Sequence, residues 1–194
     1  LFLPGGYSER LIYDEVALGF SRRAMDVIGM ASIGREASCW VLFPWVQKKN
    51  YTEVQHVVNI LSLVDLKDFI NSFFLSIKAL YAVGFRGADS GARTRVLSTY
   101  IAFQWFLARF ALAKLNARVF VMAEHHDRWA VLADFLVGAK LSSGASLAIV
   151  QHGVESSLKS THRLKNVSRL YVYDDASLEA FKDNILDSGA IEAK

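Results

Sequence analysis

Two short segments of the chain concentrate side chains able to do chemistry. Glu124-His125-His126-Asp127-Arg128 sets five polar or ionisable residues in succession between two apolar runs, and Gln151-His152-Gly153, with Glu155 close behind, follows a third. A histidine needs little adjustment of its ordinary pKa, about 6.5, to act as a general base near neutral pH, so His152 is a candidate for that role. Glu124 is a second candidate base, because burial raises a carboxylate toward neutrality. Gly153 lets the backbone turn and a ligand come close, while Gln151 offers a donor and an acceptor to a hydroxyl. Arg128 carries the planar fork that grips phosphate or carboxylate. His125, His126, Asp127 and Glu155 complete the expected substrate-binding set. The same residues have plainer uses: His152 satisfied by backbone groups in a tight turn, Asp127 as a helix cap, Arg128 as a solvated charge.

Other chemistries fit less well. His125, His126, Asp127 and His152 are metal-capable types, but adjacent histidines diverge and the chain has no His-Glu-x-x-His spacing, so neither a metal nor another cofactor is expected. Gly84 to Gly91 lacks the Lys-Ser/Thr ending of a phosphate loop and is expected to be a surface loop. No Gly-x-Ser-x-Gly elbow marks a serine hydrolase.

The elements that must position these groups are short apolar, β-rich runs alternating with helical stretches, the rhythm of a parallel sheet. Arg118–Met122 leads into the first polar segment and Ser146–Val150 into the second. Between them a helix is expected from Asp127 to about Ala139, burying Trp129, Leu132 and Leu136. Arg169–Tyr173 reads as a further strand, followed by a helix capped by Asp174 or Asp175 and running to about Leu186. The fold class expected is therefore α/β, a Rossmann-like parallel sheet flanked by helices, in which ligands bind beyond the carboxyl ends of strands.

Upstream, Cys39–Phe43 reads as a buried strand ended by Pro44, and Pro4-Gly5-Gly6 as a turn. Spacings of three and four from Tyr51 to Phe85 predict two helices broken near Ser62 to Asp68, the first capped by Thr52. Val54, Val57, Val58 and Leu61, then Phe69, Phe73, Ile77 and Leu80, form their apolar faces. A long helix over Arg95–Asn116, apolar nearly all round, is expected to pack on the sheet.

With 53% hydrophobic residues and two prolines in 194, the chain can bury enough apolar surface to fold. Its net charge of +3 is concentrated: from Arg86 to Arg118 the basic residues are Arg86, Arg93, Arg95, Arg109, Lys114 and Arg118 against the acid Asp89. That excess suits an anionic ligand or an acidic lipid surface. Without interleaved aromatic and basic residues, nucleic acid is not an expected partner. Cys39 is the lone cysteine, which excludes an intramolecular disulfide and favours a reducing, cytoplasmic setting. A first residue other than Met suggests a fragment of a longer chain. Phe69–Phe85 and Tyr100–Leu115 are apolar, but Asn71, Lys78, Gln104, Arg109 and Lys114 interrupt them, so buried helices are expected, with a helix lying on an anionic membrane as the alternative.

Gln151-His152-Gly153 after an apolar strand, followed by Leu170-Tyr171-Val172-Tyr173 and a helix, resembles the inter-domain region of the bacterial Kdo transferases of capsule and lipopolysaccharide synthesis. More distantly it is similar to the CDP-glycerol glycerophosphotransferases, which carry a His-Gly motif in the corresponding place. The His-Pro of the former is missing, since Pro4 and Pro44 are the chain's prolines and neither follows a histidine, and Gln151 stands where the latter have tryptophan. The resemblance implies the amino-terminal half of a GT-B glycosyltransferase, with two facing Rossmann-like domains. Residues 1–167 would form the acceptor-side domain and residues 168–194 the start of a second. It also implies a nucleotide-sugar donor, a glycan or glycolipid acceptor, and a cytoplasmic location with peripheral contact to the inner face of the membrane. His152 would lie in the cleft and Glu124 on the acceptor side. A nucleotide-sugar epimerase or hydrolase of the same shape, or a non-catalytic module of polysaccharide assembly, remains open at this stage.

Overall fold

A computed structural model describes residues 12–19, 26–28, 39–44, 46, 56–84, 92–123, 128–139, 145–151 and 163–187. The six strands are β1 (Ile12–Gly19), β2 (Cys39–Leu42), β3 (Val57–Asn59), β4 (Asn116–Met122), β5 (Ser146–Val150) and β6 (Val167–Tyr171). The helices are α1 (Leu66–Gly84), α2 (Ala92–Ala113), α3 (Arg128–Gly138) and α4 (Asp175–Asn184). The strands form one sheet in the order β3-β2-β1-β4-β5-β6, and every neighbouring pair is parallel. The expected α/β, Rossmann-like sheet flanked by helices is thus what the chain forms.

Burial explains the central strands. Val119 to Met122 of β4 and Leu147 to Val150 of β5 are buried at every position, the pattern of parallel strands covered on both faces. β1 behaves likewise from Val16 to Gly19. Its earlier residues Asp14 and Glu15 meet Arg118 at 3.4 Å and Arg169 at 3.7 Å, so the carboxylates are paired where they leave the core. Cys39 is buried in β2, and that burial pushes its thiol up to about 11 despite a hydrogen bond with Tyr13 acting in the opposite direction.

Two expectations change. Val57–Asn59, read as helix, is an edge strand: Trp40 pairs with Val57 and Leu42 with Asn59, and the Trp40 N–H donates to the His56 carbonyl at 2.9 Å. Asn59 then ends the strand, its side chain accepting the Leu61 N–H at 2.9 Å to cap a 3-10 turn over Ile60–Leu63. The expected cap Thr52, the turn at Pro4 to Gly6 and most of the loop from Gly84 to Gly91 lie outside the described residues. The true cap of α1 is a reciprocal box: the Asp65 carboxylate accepts the Asp68 N–H at 2.8 Å, and the Asp68 carboxylate accepts the Asp65 N–H at 3.2 Å.

The second change is the face that α1 buries. Asp68, Ser72 and Ser76 are buried, whereas Phe69 and Phe73 are half exposed. α1 packs on α2 rather than on the sheet. α2 in turn buries only Ala108, Ala111 and Leu112, so neither helix is the buried core helix that its composition suggested.

The residues from 168 onward, expected to begin a second domain, start within this sheet's last strand. Val167–Tyr171 pairs with β5 as the edge strand of this same sheet. Beyond it, Phe181, Ile185 and Leu186 belong to the same hydrophobic cluster as β4 and β5, and Leu164 bridges to Leu186. Residues 164–187 are thus joined to the same core as β4 and β5.

Candidate functional site

Strand order sets the location. The sheet runs outward from β1 to β3 on one side and from β4 to β6 on the other, so the order reverses between β1 and β4. At such a switch point the connections leave in opposite directions, opening a crevice beyond the carboxyl ends of the strands. β4 delivers the chain to this rim at Met122 and Ala123, and the described chain resumes at Arg128, the first residue of α3. β5 ends beside it, with Met122 in register with Ile149. The two strands that precede the polar segments are therefore adjacent, parallel and finish on one rim. Glu124, His125, His126, Asp127, His152, Gly153 and Glu155 lie outside the described residues; Arg128 and Gln151 lie within them.

Arg128 is partly buried in a chain of aromatic and amide contacts. Its guanidinium stands 4.7 Å from the centre of the Trp129 ring, and Nη2 donates to Gln104 Oε1 at 3.1 Å. The Gln104 amide donates onward to Tyr100 Oη at 2.8 Å, and Trp105 Nε1 donates to the Arg128 carbonyl at 3.2 Å. α2 and the first turn of α3 are thereby locked together. Among the described residues no carboxylate pairs with Arg128, whose guanidinium stands at the first turn of α3, where the backbone dipole favours negative charge.

Next to this chain lies a hollow of about 190 Å³. Phe43 and Pro44, just past β2, and Ile60, Leu61 and Val64, just past β3, form one side; α2 closes the other with Tyr100, Phe103, Gln104, Leu107 and Ala108. It therefore sits above the carboxyl ends of β2 and β3, on the rim that also carries Arg128. Phe43 joins the two places, its ring 4.7 Å from that of Trp129. The lining is apolar apart from Gln104 and the Tyr100 hydroxyl, so the hollow suits a ring or short apolar chain whose polar end emerges toward Arg128. Its volume lies below the roughly 300–1,000 Å³ of sites that enclose whole drug-sized ligands, which limits it to part of a ligand.

Gln151 is buried just past the end of β5. It is 1% exposed; its side-chain carbonyl accepts the Tyr173 N–H at 3.0 Å and its amide donates to Ser177 Oγ at 3.0 Å. With both ends of the amide engaged, the residue braces the rim. No protein-family model, curated protein or solved structure matches the chain. The site therefore rests on its geometry. Among the described residues no three His, Cys, Asp or Glu side chains cluster as a metal site would require.

Tyr100 and Gln104 were not among the residues singled out in the sequence. Their spacing of four places them on one face of α2, and a glutamine within so apolar a helix was the available signal. What the sequence could not supply was the pairing of Gln104 with Arg128, made by tertiary packing.

Proposed function

We propose that the chain is the acceptor-side half of a GT-B glycosyltransferase that moves a sugar from a nucleotide-activated donor to a surface polysaccharide or lipid-linked acceptor. The observation that carries this reading is the shared rim: β4 and β5 end side by side next to the switch point, and each is followed by one of the two polar segments. In the reaction, His152 or Glu124 accepts the proton of the acceptor hydroxyl as its oxygen attacks the anomeric carbon. The bond from that carbon to the nucleotide's phosphate breaks, and Arg128 stabilises the negative charge developing on the departing phosphate. His125, His126, Asp127, Gly153 and Glu155 would contact substrate around these groups. The apolar hollow beside Gln104 supplies a place for the uncharged part of the acceptor or donor.

The test is an assay of the full-length protein against a panel of nucleotide sugars with a glycolipid acceptor. Turnover with one donor, falling by about a hundredfold or more in His152→Ala or Glu124→Ala, supports the assignment. Wild-type turnover in both variants removes those roles. Free or epimerised sugar released at full rate without acceptor replaces transfer by hydrolysis or epimerisation.

A further inference from the structure

The pair α1–α2 is built inside out. A helix resting on a soluble core turns its large apolar residues inward and its polar ones to water. α1 does the reverse: Asp68, Ser72 and Ser76, spaced by four, are buried at 8%, 0% and 0% exposure, while Phe69, Phe73, Phe74 and Tyr81 are 50%, 51%, 64% and 61% exposed. The buried serines are satisfied locally, Ser72 Oγ donating to the Asp68 carbonyl and Ser76 Oγ to the Phe73 carbonyl, each at 2.7 Å. They make a slim seam on which α2 packs antiparallel, since Lys114 just past the end of α2 binds Asp65 and Asp68 at the start of α1. Small and hydroxyl residues at the seam with aromatics outside is the arrangement of helices that pack in lipid rather than in water.

Charge identifies what covers this face. Within the sequences of α1 and α2 the basic residues are Lys67, Lys78, Arg93, Arg95 and Arg109, and the sole acid is Asp68. Asp68 is buried, and Asp65, half exposed just ahead of α1, is paired with Lys114, so within the two helices themselves the described exposed surface carries no carboxylate. An apolar, aromatic face bordered by an excess of cations complements an anionic phospholipid surface. Thr94–Ala113 is long and apolar enough to cross a bilayer by length and composition. Gln104 and Arg109 in that stretch, and Lys78 well inside α1, instead favour a hairpin lying along the interface, with its cations at headgroup level.

We propose that the α1–α2 hairpin docks this protein flat on an anionic phospholipid bilayer through the exposed aromatic face of α1. The edge contact between Phe69 and Phe103, 5.1 Å between ring centres, connects that face to the lining of the hollow. A lipid-borne ligand could thus pass from bilayer to rim without crossing water. The proposal stands apart from the catalytic reading, because docking is measured without turnover.

The test is flotation of the full-length protein with phosphatidylcholine vesicles, with and without phosphatidylglycerol. Docking predicts binding at least about tenfold stronger to the anionic vesicles and weakened by added salt. Phe73→Ser with Phe74→Ser should abolish flotation, and Lys78→Glu with Arg95→Glu should remove the anionic preference, with circular dichroism and melting temperature unchanged because all four side chains are exposed. Failure of the wild type to float with anionic vesicles overturns the proposal. So does a stable dimer that ignores vesicles and is dissolved by the two Phe substitutions, which would assign the face to a second copy. Recovery from membranes only with detergent, unaffected by salt, would overturn flat docking in favour of a spanning hairpin.

Discussion

The Gln151 side-chain carbonyl accepts the backbone N–H of Tyr173 at 3.0 Å, fastening the end of β5 to the residues that follow β6. The other end of the same amide holds Ser177 Oγ, and the Ser177 N–H in turn donates to the Asp174 cap of α4 at 2.7 Å. One buried amide thus joins two strands and a helix start. Gln151→Leu keeps the volume but leaves the Tyr173 N–H unpaired, and the unmet donor costs about 1–3 kcal/mol. Urea unfolding should show that loss; Ser177→Ala should cost less, and the double variant less than the sum, since both remove the same bond.

A tighter contact lies at the far end of α3. Asp134, 4% exposed, accepts the backbone N–H groups of Lys165 and Asn166 at 2.8 and 2.6 Å, and Asn166 Nδ2 donates to the Asp134 carbonyl at 3.0 Å. A Cβ added at Gly138 would fall 2.6 Å from that Nδ2. On helix propensity alone, Gly138→Ala should stabilise by about 1 kcal/mol. Here it must displace Asn166 from a hydrogen-bonded position, so the expected sign is destabilising. Asp134→Ala should lose about 2–3 kcal/mol by stranding buried donors. Equal or higher urea midpoints in either variant would contradict this account.

These contacts also show where sequence reading stops. β4 and β5 were legible because both faces are buried, which leaves an unbroken apolar run, and α3 because Trp129, Leu132 and Leu136 repeat at helical spacing. β1 was hidden by Asp14, which is exposed to water beside Arg118, and by Glu15, which Arg169 reaches at 3.7 Å. Val57 and Val58 fitted a helical period; pairing with β2 overrode it. For α1, periodicity revealed an apolar stripe but not which way it turns, since facing is decided by the neighbour. The rim was legible from strand ends, whereas the Arg128–Gln104 bond spans 24 positions and only folding creates it.

Lys114 should make the hairpin's attachment depend on pH at both extremes. The Asp68 N–H, and then Lys114, hold the Asp65 carboxyl below its usual 3.8. For Lys114, burial pulls the ammonium down, but hydrogen bonds to Asp68 and Asp65 and their charges outweigh it, leaving it above 10.5. A carboxyl lowered by folding contributes stability above its unfolded pKa and loses it as pH falls through the folded value. An ammonium raised by folding contributes fully below its unfolded pKa and loses that contribution as pH rises through the folded value. Lys114→Met should therefore lower the melting temperature across the neutral range, by an amount worth up to about 1 kcal/mol for so exposed a pair. Wild type and variant should converge in acid, once the pH has fallen through the lowered Asp65 carboxyl, and again in alkali, once it has risen through the raised Lys114 ammonium. A constant gap at all pH values would mean that the side chain acts through packing alone.

Arg128 offers the most direct reading of the rim. Gln104 is neutral, so it orients the guanidinium without neutralising it, and the Trp129 face fixes the plane. Arg128→Met keeps the packing on Trp129 and removes the charge; affinity for a nucleoside diphosphate should fall about tenfold or more, the loss expected for one charge-assisted contact. Arg128→Lys should recover little, because an ammonium supplies neither the fork nor the stacking plane. Gln104→Glu is the sharper variant. It places a carboxylate where Oε1 now accepts, so the ion pair should hold or raise the melting temperature while weakening diphosphate binding. Stability and affinity moving in opposite directions, read by thermal melts and titration calorimetry, would identify Arg128 as an anion-binding group; affinity unchanged in Arg128→Met and Gln104→Glu alike would leave it a purely structural link between α2 and α3.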